Sequence, residues 1–246
     1  MATSTEGEGG GQPPPLSQEK AELLGPAGKG LLGVRLKPGI SRFTFFCYFM
    51  CNFEVVQNLA LLATAGTSIL TSRSYYHIDA RIAGAFTGNL NFYTELYQIT
   101  AEVLVGSFHD LFGRRIMMLL GYALIGFGVF LYPYSGEVYP WLFLVRICLA
   151  QGLTQIIVNP LVNDYVQDAT KGVATAYGAI FGGLGAIFSM LFLLWLASHV
   201  PLETVFLISG SLTLLSFIYS FFFLRNNYER ADRAEPFCRR FVSKFQ

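Results

Sequence analysis

A soluble domain carries about 25% charged residues; this chain of 246 residues carries 13%, with 53% hydrophobic residues and 23 Phe. That composition excludes an ordinary soluble fold and points to a membrane. The net charge of +1 excludes the broad basic field of a nucleic-acid binder.

Residues 1–42 hold the runs GEGGGQ, QPPP and GPAGKG and show no apolar periodicity. They read as a disordered tail, and not as a signal peptide, because no apolar core follows a charged start. Six apolar runs follow, at about 43–66, 88–108, 115–134, 140–161, 173–198 and 202–224. Each is near the ≈ 20 residues that a spanning helix needs. The expectation is an all-α membrane protein: a six-transmembrane-helix bundle over 43–224 and a charged tail over 225–246.

The first run contains Glu54 and Asn58, four apart on one helix face with Cys47 and Cys51. No His or Cys pair stands near these thiols, so all four cysteines read as unpaired and no metal site is expected. The connector 67–87 is the longest, and parts of it extend the flanking helices. The second run is the least apolar. Asn91, Glu95, Gln98 and Glu102 recur at spacings of 4, 3 and 4, which aligns them on one face. Such a stripe must face the bundle interior or a water-filled cavity. Glu95, near the outer boundary, is expected in a solvated position.

Between the second and third runs stands GSFHDLFGRR, residues 106–115. Gly106 and Gly113 allow close helix approach and chain reversal. Asp110 falls at a helix C-terminus, where the dipole disfavours an anion, and it calls for a partner cation. His109 reads as a solvated surface residue. Tyr93, Tyr97, Tyr132, Tyr134, Tyr139 and Trp141 read as interfacial anchors. The fourth run carries an intramembrane cation, Arg146, and ends at Asn159, Asn163 and Asp164, which read as a helix cap. The fifth run holds Gly178, Gly182, Gly183 and Gly185, spaced for close packing.

With the N-terminus inside, every Lys and Arg falls on the cytoplasmic side except Arg73, Arg81 and the intramembrane Arg146. Basic residues are retained there, so both termini are expected to be cytoplasmic. Which membrane holds the chain is left open.

Gly106, Asp110, Gly113, Arg114 and Arg115 resemble the loop signature between helices two and three of the major facilitator superfamily, Gly-x3-Asp-(Arg/Lys)-x-Gly-(Arg/Lys)-(Arg/Lys). Leu111 replaces its usual basic residue. Arg146, Gln151, Gly152 and Pro160 resemble the superfamily's fourth helix, with Arg and Gly six apart instead of four. The glycine-rich fifth run is also similar to that of many members. The resemblance covers 43–224 and implies one six-helix half of a twelve-helix carrier.

The implied function is transport of a small solute across the lipid bilayer by a secondary carrier, with proton coupling as one form of it. Glu54, Asn58, Gln98, Glu102 and Arg146 are the cavity or coupling candidates, and Gly106, Asp110, Gly113, Arg114 and Arg115 form the gating motif. Arg146 is expected to pair with Glu54 or Glu102, or to bind an anionic solute. A homodimer or a second six-helix half would complete the carrier; a non-transporting fragment or accessory protein is the alternative. No Walker-type loop, HExxH, CxxC pair or GxSxG is present, so no cofactor, no enzyme activity and no nucleic-acid partner are expected.

Overall fold

The computed structural model describes residues 31–72, 76–157 and 161–225. These are helical, with no strand elements among them. In chain order the helices are α1 (Arg42–Thr71), α2 (Ala80–Phe112), α3 (Arg114–Leu131), α4 (Phe143–Ile157), α5 (Leu161–Tyr165), α6 (Lys171–Phe188), α7 (Leu194–Ala197) and α8 (Leu202–Phe223). Short π-helical turns at Val138–Leu142 and Ser189–Leu193 lead into α4 and join α6 to α7. Five helical stretches, built on α1, α3, α4, α6 and α8, are long and apolar enough to cross a membrane. The helix that falls short is α2, where Asn89, Asn91, Glu95, Gln98 and Glu102 dilute the apolar residues. At 33 residues it is nonetheless about 50 Å long.

Both helices beside the longest connector extend into it. Ser41 caps α1, its hydroxyl accepting from the Thr44 N–H at 3.0 Å. Asp79 caps α2 by accepting from the Arg81 N–H at 2.9 Å. These caps satisfy backbone donors that the first turn leaves open. Tyr76 then pins the turn to the end of α3 by donating to the Tyr132 carbonyl at 2.8 Å.

The main packing pairs are α1 with α6, α3 with α8, α3 with α4, α2 with α4 and α1 with α8. Exchange α1, α2, α3 with α4, α6, α8, and this set of pairs is unchanged. The pairing pattern of the first three long helices thus matches that of the last three. Glycines set the closest approaches. A Cβ on Gly185 would lie 2.1 Å from the Phe53 carbonyl oxygen of α1, and one on Gly121 would lie 2.8 Å from the Gly152 oxygen. Gly182 faces Val56, whereas Gly183 faces open space. The expected glycine packing on the fifth run thus belongs to Gly182 and Gly185.

One boundary differs from the sequence reading. The tail assigned to 1–42 does not extend to 42: residues 31–41 are folded onto the bundle. Val34 and Leu36 are fully buried. Leu36 bridges Val166, the Lys37 N–H donates to the Tyr165 carbonyl at 2.9 Å, and the Gln167 N–H donates to the Arg35 carbonyl at 3.0 Å. Two apolar side chains are enough to seat this strap, too few to show a period. Residues 1–30 and 226–246, with most of both tails and Cys238, lie outside the described residues. So do Asn159 and Pro160.

Candidate functional site

Gly113 is the whole connection between α2 and α3. Its N–H donates to the His109 carbonyl at 3.0 Å and closes α2, while its own carbonyl accepts from Met117 at 3.2 Å and opens α3. One residue ends one helix and starts the next, at φ +95° and ψ 136°, a conformation that only glycine holds without strain. Gly106 does not share this duty. Nothing lies within 4 Å of where its Cβ would stand, so the expected close helix approach there is absent.

The two arginines after the turn bind different helix ends. Arg114 pairs with Asp164 of α5 at 2.5 Å, both partly buried. Arg115 donates to the Phe221 carbonyl in the last turn of α8, and its guanidinium lies 5.8 Å from the Phe221 ring centre. The last carbonyls of a helix lack intrahelical donors and carry the negative end of its dipole; a guanidinium suits both. Asp164, expected as a cap, is thus the counter-charge of the motif. Asp110 sits in the last helical turn of α2, with its side chain outside the described residues. His109 is not solvated: it is 1% exposed, with Nε2 3.0 Å from the Gln155 carbonyl. Because α2 continues to Phe112, His109 still belongs to a packed helix face.

A second polar group lies between α1 and α8. Gln57 donates to Ser209 at 2.6 Å, Ser209 donates to the Asn58 Oδ1 at 2.8 Å, and Asn58 donates to Thr213 at 2.7 Å. The same face continues through Cys51 and Ser220 at 3.3 Å and Cys47 and Tyr219 at 2.8 Å. Glu54 lies within this ladder with Ser216 beside its carboxyl, and its Oε2 is buried with no bonding partner among the described residues. The expected stripe of Cys47, Cys51, Glu54 and Asn58 is therefore real. It faces α8 and does not line the cavity described next.

That cavity, of about 220 Å³, lies between α1, α2 and α4. Asn91, Glu95, Gln98 and Arg146 form its polar wall; Leu59, Leu62, Leu149 and Leu153 form an apolar one. Arg146 pairs with neither Glu54 nor Glu102. Its Nη2 donates to the Asn91 Oδ1 at 2.7 Å. One turn further along, Tyr97 donates to the Gln151 Oε1 at 2.5 Å. Tyr97 therefore joins α2 to α4, and Tyr132 is fully buried against Phe206 with ring centres 5.2 Å apart. Neither is an interfacial anchor, whereas Tyr93, Tyr134, Tyr139 and Trp141 are exposed.

The family model of the Major Facilitator Superfamily matches residues 43–244. The chain belongs to this superfamily. A search of curated proteins returned no match. As a major facilitator, the protein is a multi-pass membrane transporter of the general class that binds small solutes, which places its polar groups in a transport setting. The major facilitator's candidate residues fall into several places. Gly113, Arg114 and Arg115 hold helix ends together, and Glu54 and Asn58 sit in the α1–α8 ladder. Gln98 and Arg146 meet in the cavity. Glu102 stands apart on an exposed part of α2, four residues and about 6 Å beyond Gln98. Asn91 and Glu95, on the stripe but not among the principal candidates, also line the cavity, with Thr87 and Thr94; the spacing of 4 and 3 was the signal for Asn91 and Glu95.

Proposed function

We propose that this major facilitator moves a small solute as a secondary carrier, binding it at the cavity between α1, α2 and α4. The observation that carries the reading is the polar wall of that cavity. A half-buried arginine and glutamine, with an exposed glutamate and asparagine beside them, are expensive on a membrane bundle unless they serve water or a solute. On this reading α2 is the sixth span, kept polar because it faces the transport path, and both termini are cytoplasmic, in keeping with the Lys and Arg distribution. The six helices act as one half that rocks against a second six-helix half. A homodimer or a further six-helix half is the assembly that this reading calls for.

Coupling to protons is assigned to Glu54. Its buried carboxyl oxygen without a partner offers a place where a proton is taken up and released between two helices that must shift together. Uptake into proteoliposomes from a panel of labelled solutes, with and without an imposed pH gradient, tests both parts. The expected result is uptake of at least one solute that the gradient accelerates, with Glu54→Gln losing the acceleration. Uptake equally gradient-dependent in that variant removes Glu54 from the coupling scheme. Absence of all uptake, with co-purification of a longer carrier, instead identifies an accessory chain.

A further inference from the structure

Within that reading, the charges on the cavity wall narrow the solute. Arg146 is a permanent cation on a spanning helix. Its hydrogen-bond acceptor, Asn91, is neutral, and the ion pairs of Arg114 with Asp164 and Lys171 with Asp168 among the described residues do not include it. A guanidinium offers five donors in a planar fork that fits a carboxylate. One carboxylate does line the same cavity, Glu95, one helical turn from Asn91, yet it forms no ion pair with Arg146. The cavity is thus lined by a cation and an anion that form no ion pair with each other among the described residues. The apolar side chains of Leu59, Leu62 and Leu149 line it too.

We infer that the cavity binds a small zwitterion. Its carboxylate is received by Arg146, its ammonium group by Glu95, and a short apolar group by the leucines. A ligand carrying both charges satisfies both residues at once. A neutral polyol leaves each charge without its counter-ion, and a simple anion or cation leaves one. Asn91 orients the guanidinium and leaves the rest of its fork free. The inference rests on the transport reading for the meaning of the cavity, but not for its binding chemistry.

The test measures equilibrium binding to the purified full-length chain in nanodiscs, alongside uptake into proteoliposomes. The probes are leucine, leucinamide (which lacks the carboxylate), 4-methylpentanoate (which lacks the ammonium) and glucose. Leucine is expected to bind, and each analogue missing one charge to bind about tenfold more weakly or worse, because the charge-assisted contact to Arg146 or to Glu95 is then lost. In Arg146→Gln, leucine should fall to the level of leucinamide in the native protein; in Glu95→Gln, it should fall to that of 4-methylpentanoate. The analogue comparison on the native chain stands even if a variant fails to fold. Equal binding of leucine and leucinamide, binding of glucose in place of leucine, or no binding of leucine overturns the inference. Leucine bound with this charge discrimination but moved by no proteoliposome keeps the inference and sinks the carrier reading. Uptake of another solute without leucine binding does the reverse.

Discussion

At the scale of single residues, Gly113 and Gly106 look alike in the sequence and differ in the fold. Gly113 occupies a backbone region that strains any other residue, so Gly113→Ala should destabilise the protein by about 1–3 kcal/mol. Gly106→Ala meets only open space and adds a helix-favouring residue, so it should leave stability unchanged or slightly raised. Thermal unfolding of the two variants in the same detergent checks this; equal melting temperatures would show that the turn relaxes. The sequence revealed both glycines and both arginines of the motif, because chemistry and spacing are local. It did not reveal that Arg114 reaches Asp164 or that His109 is buried. Those outcomes depend on which helix lies alongside, and spacing within one helix carries no information about its neighbour. The mistaken pairing of Arg146 with a glutamate has the same origin. Charge complementarity suggested Glu54 or Glu102, but the chain brings Asn91 within reach.

At the scale of helices, hydropathy located the five membrane-capable stretches built on α1, α3, α4, α6 and α8 to within about five residues, since about 20 apolar residues in a row have few other homes. It also marked α2 as different. The helix phase placed Asn91, Glu95 and Gln98 on one face, as found. Phase alone does not say where along its axis a cavity ends, and Glu102 lies past that end. Glycine counts are similarly ambiguous. Four glycines mark α6 as a close-packing helix, yet the contact rests on two of them. Gly185→Ala should force α6 away from the Phe53 carbonyl and lower stability by about 1–3 kcal/mol, whereas Gly183→Ala should not. Denaturant titrations of both variants read the difference directly, and a neutral Gly185→Ala would mean that the two helices separate easily.

At the scale of the whole molecule, the sequence announced the family through one loop and the order of its spans, and the packing pairs add a symmetry of pairing between the first and the last three long helices that no residue pattern displays. The open polar stripe of α2 bears on assembly. If a second copy completes the carrier, mass photometry of the protein in nanodiscs should show particles carrying two chains. A single-chain population would sink the homodimer.

The strap formed by residues 31–41 has a mechanical consequence. Arg35, Leu36 and Lys37 are bonded to the stretch 163–170. Tyr165 donates to the Arg225 carbonyl at 2.8 Å, just beyond α8. The beginning of α1, the connector between α5 and α6 and the far end of α8 are thereby laced into a single truss, to which Arg114 and Arg115 add two braces. Such a truss would carry a tilt of this end to the opposite end of the same helices, with a displacement that grows with their length.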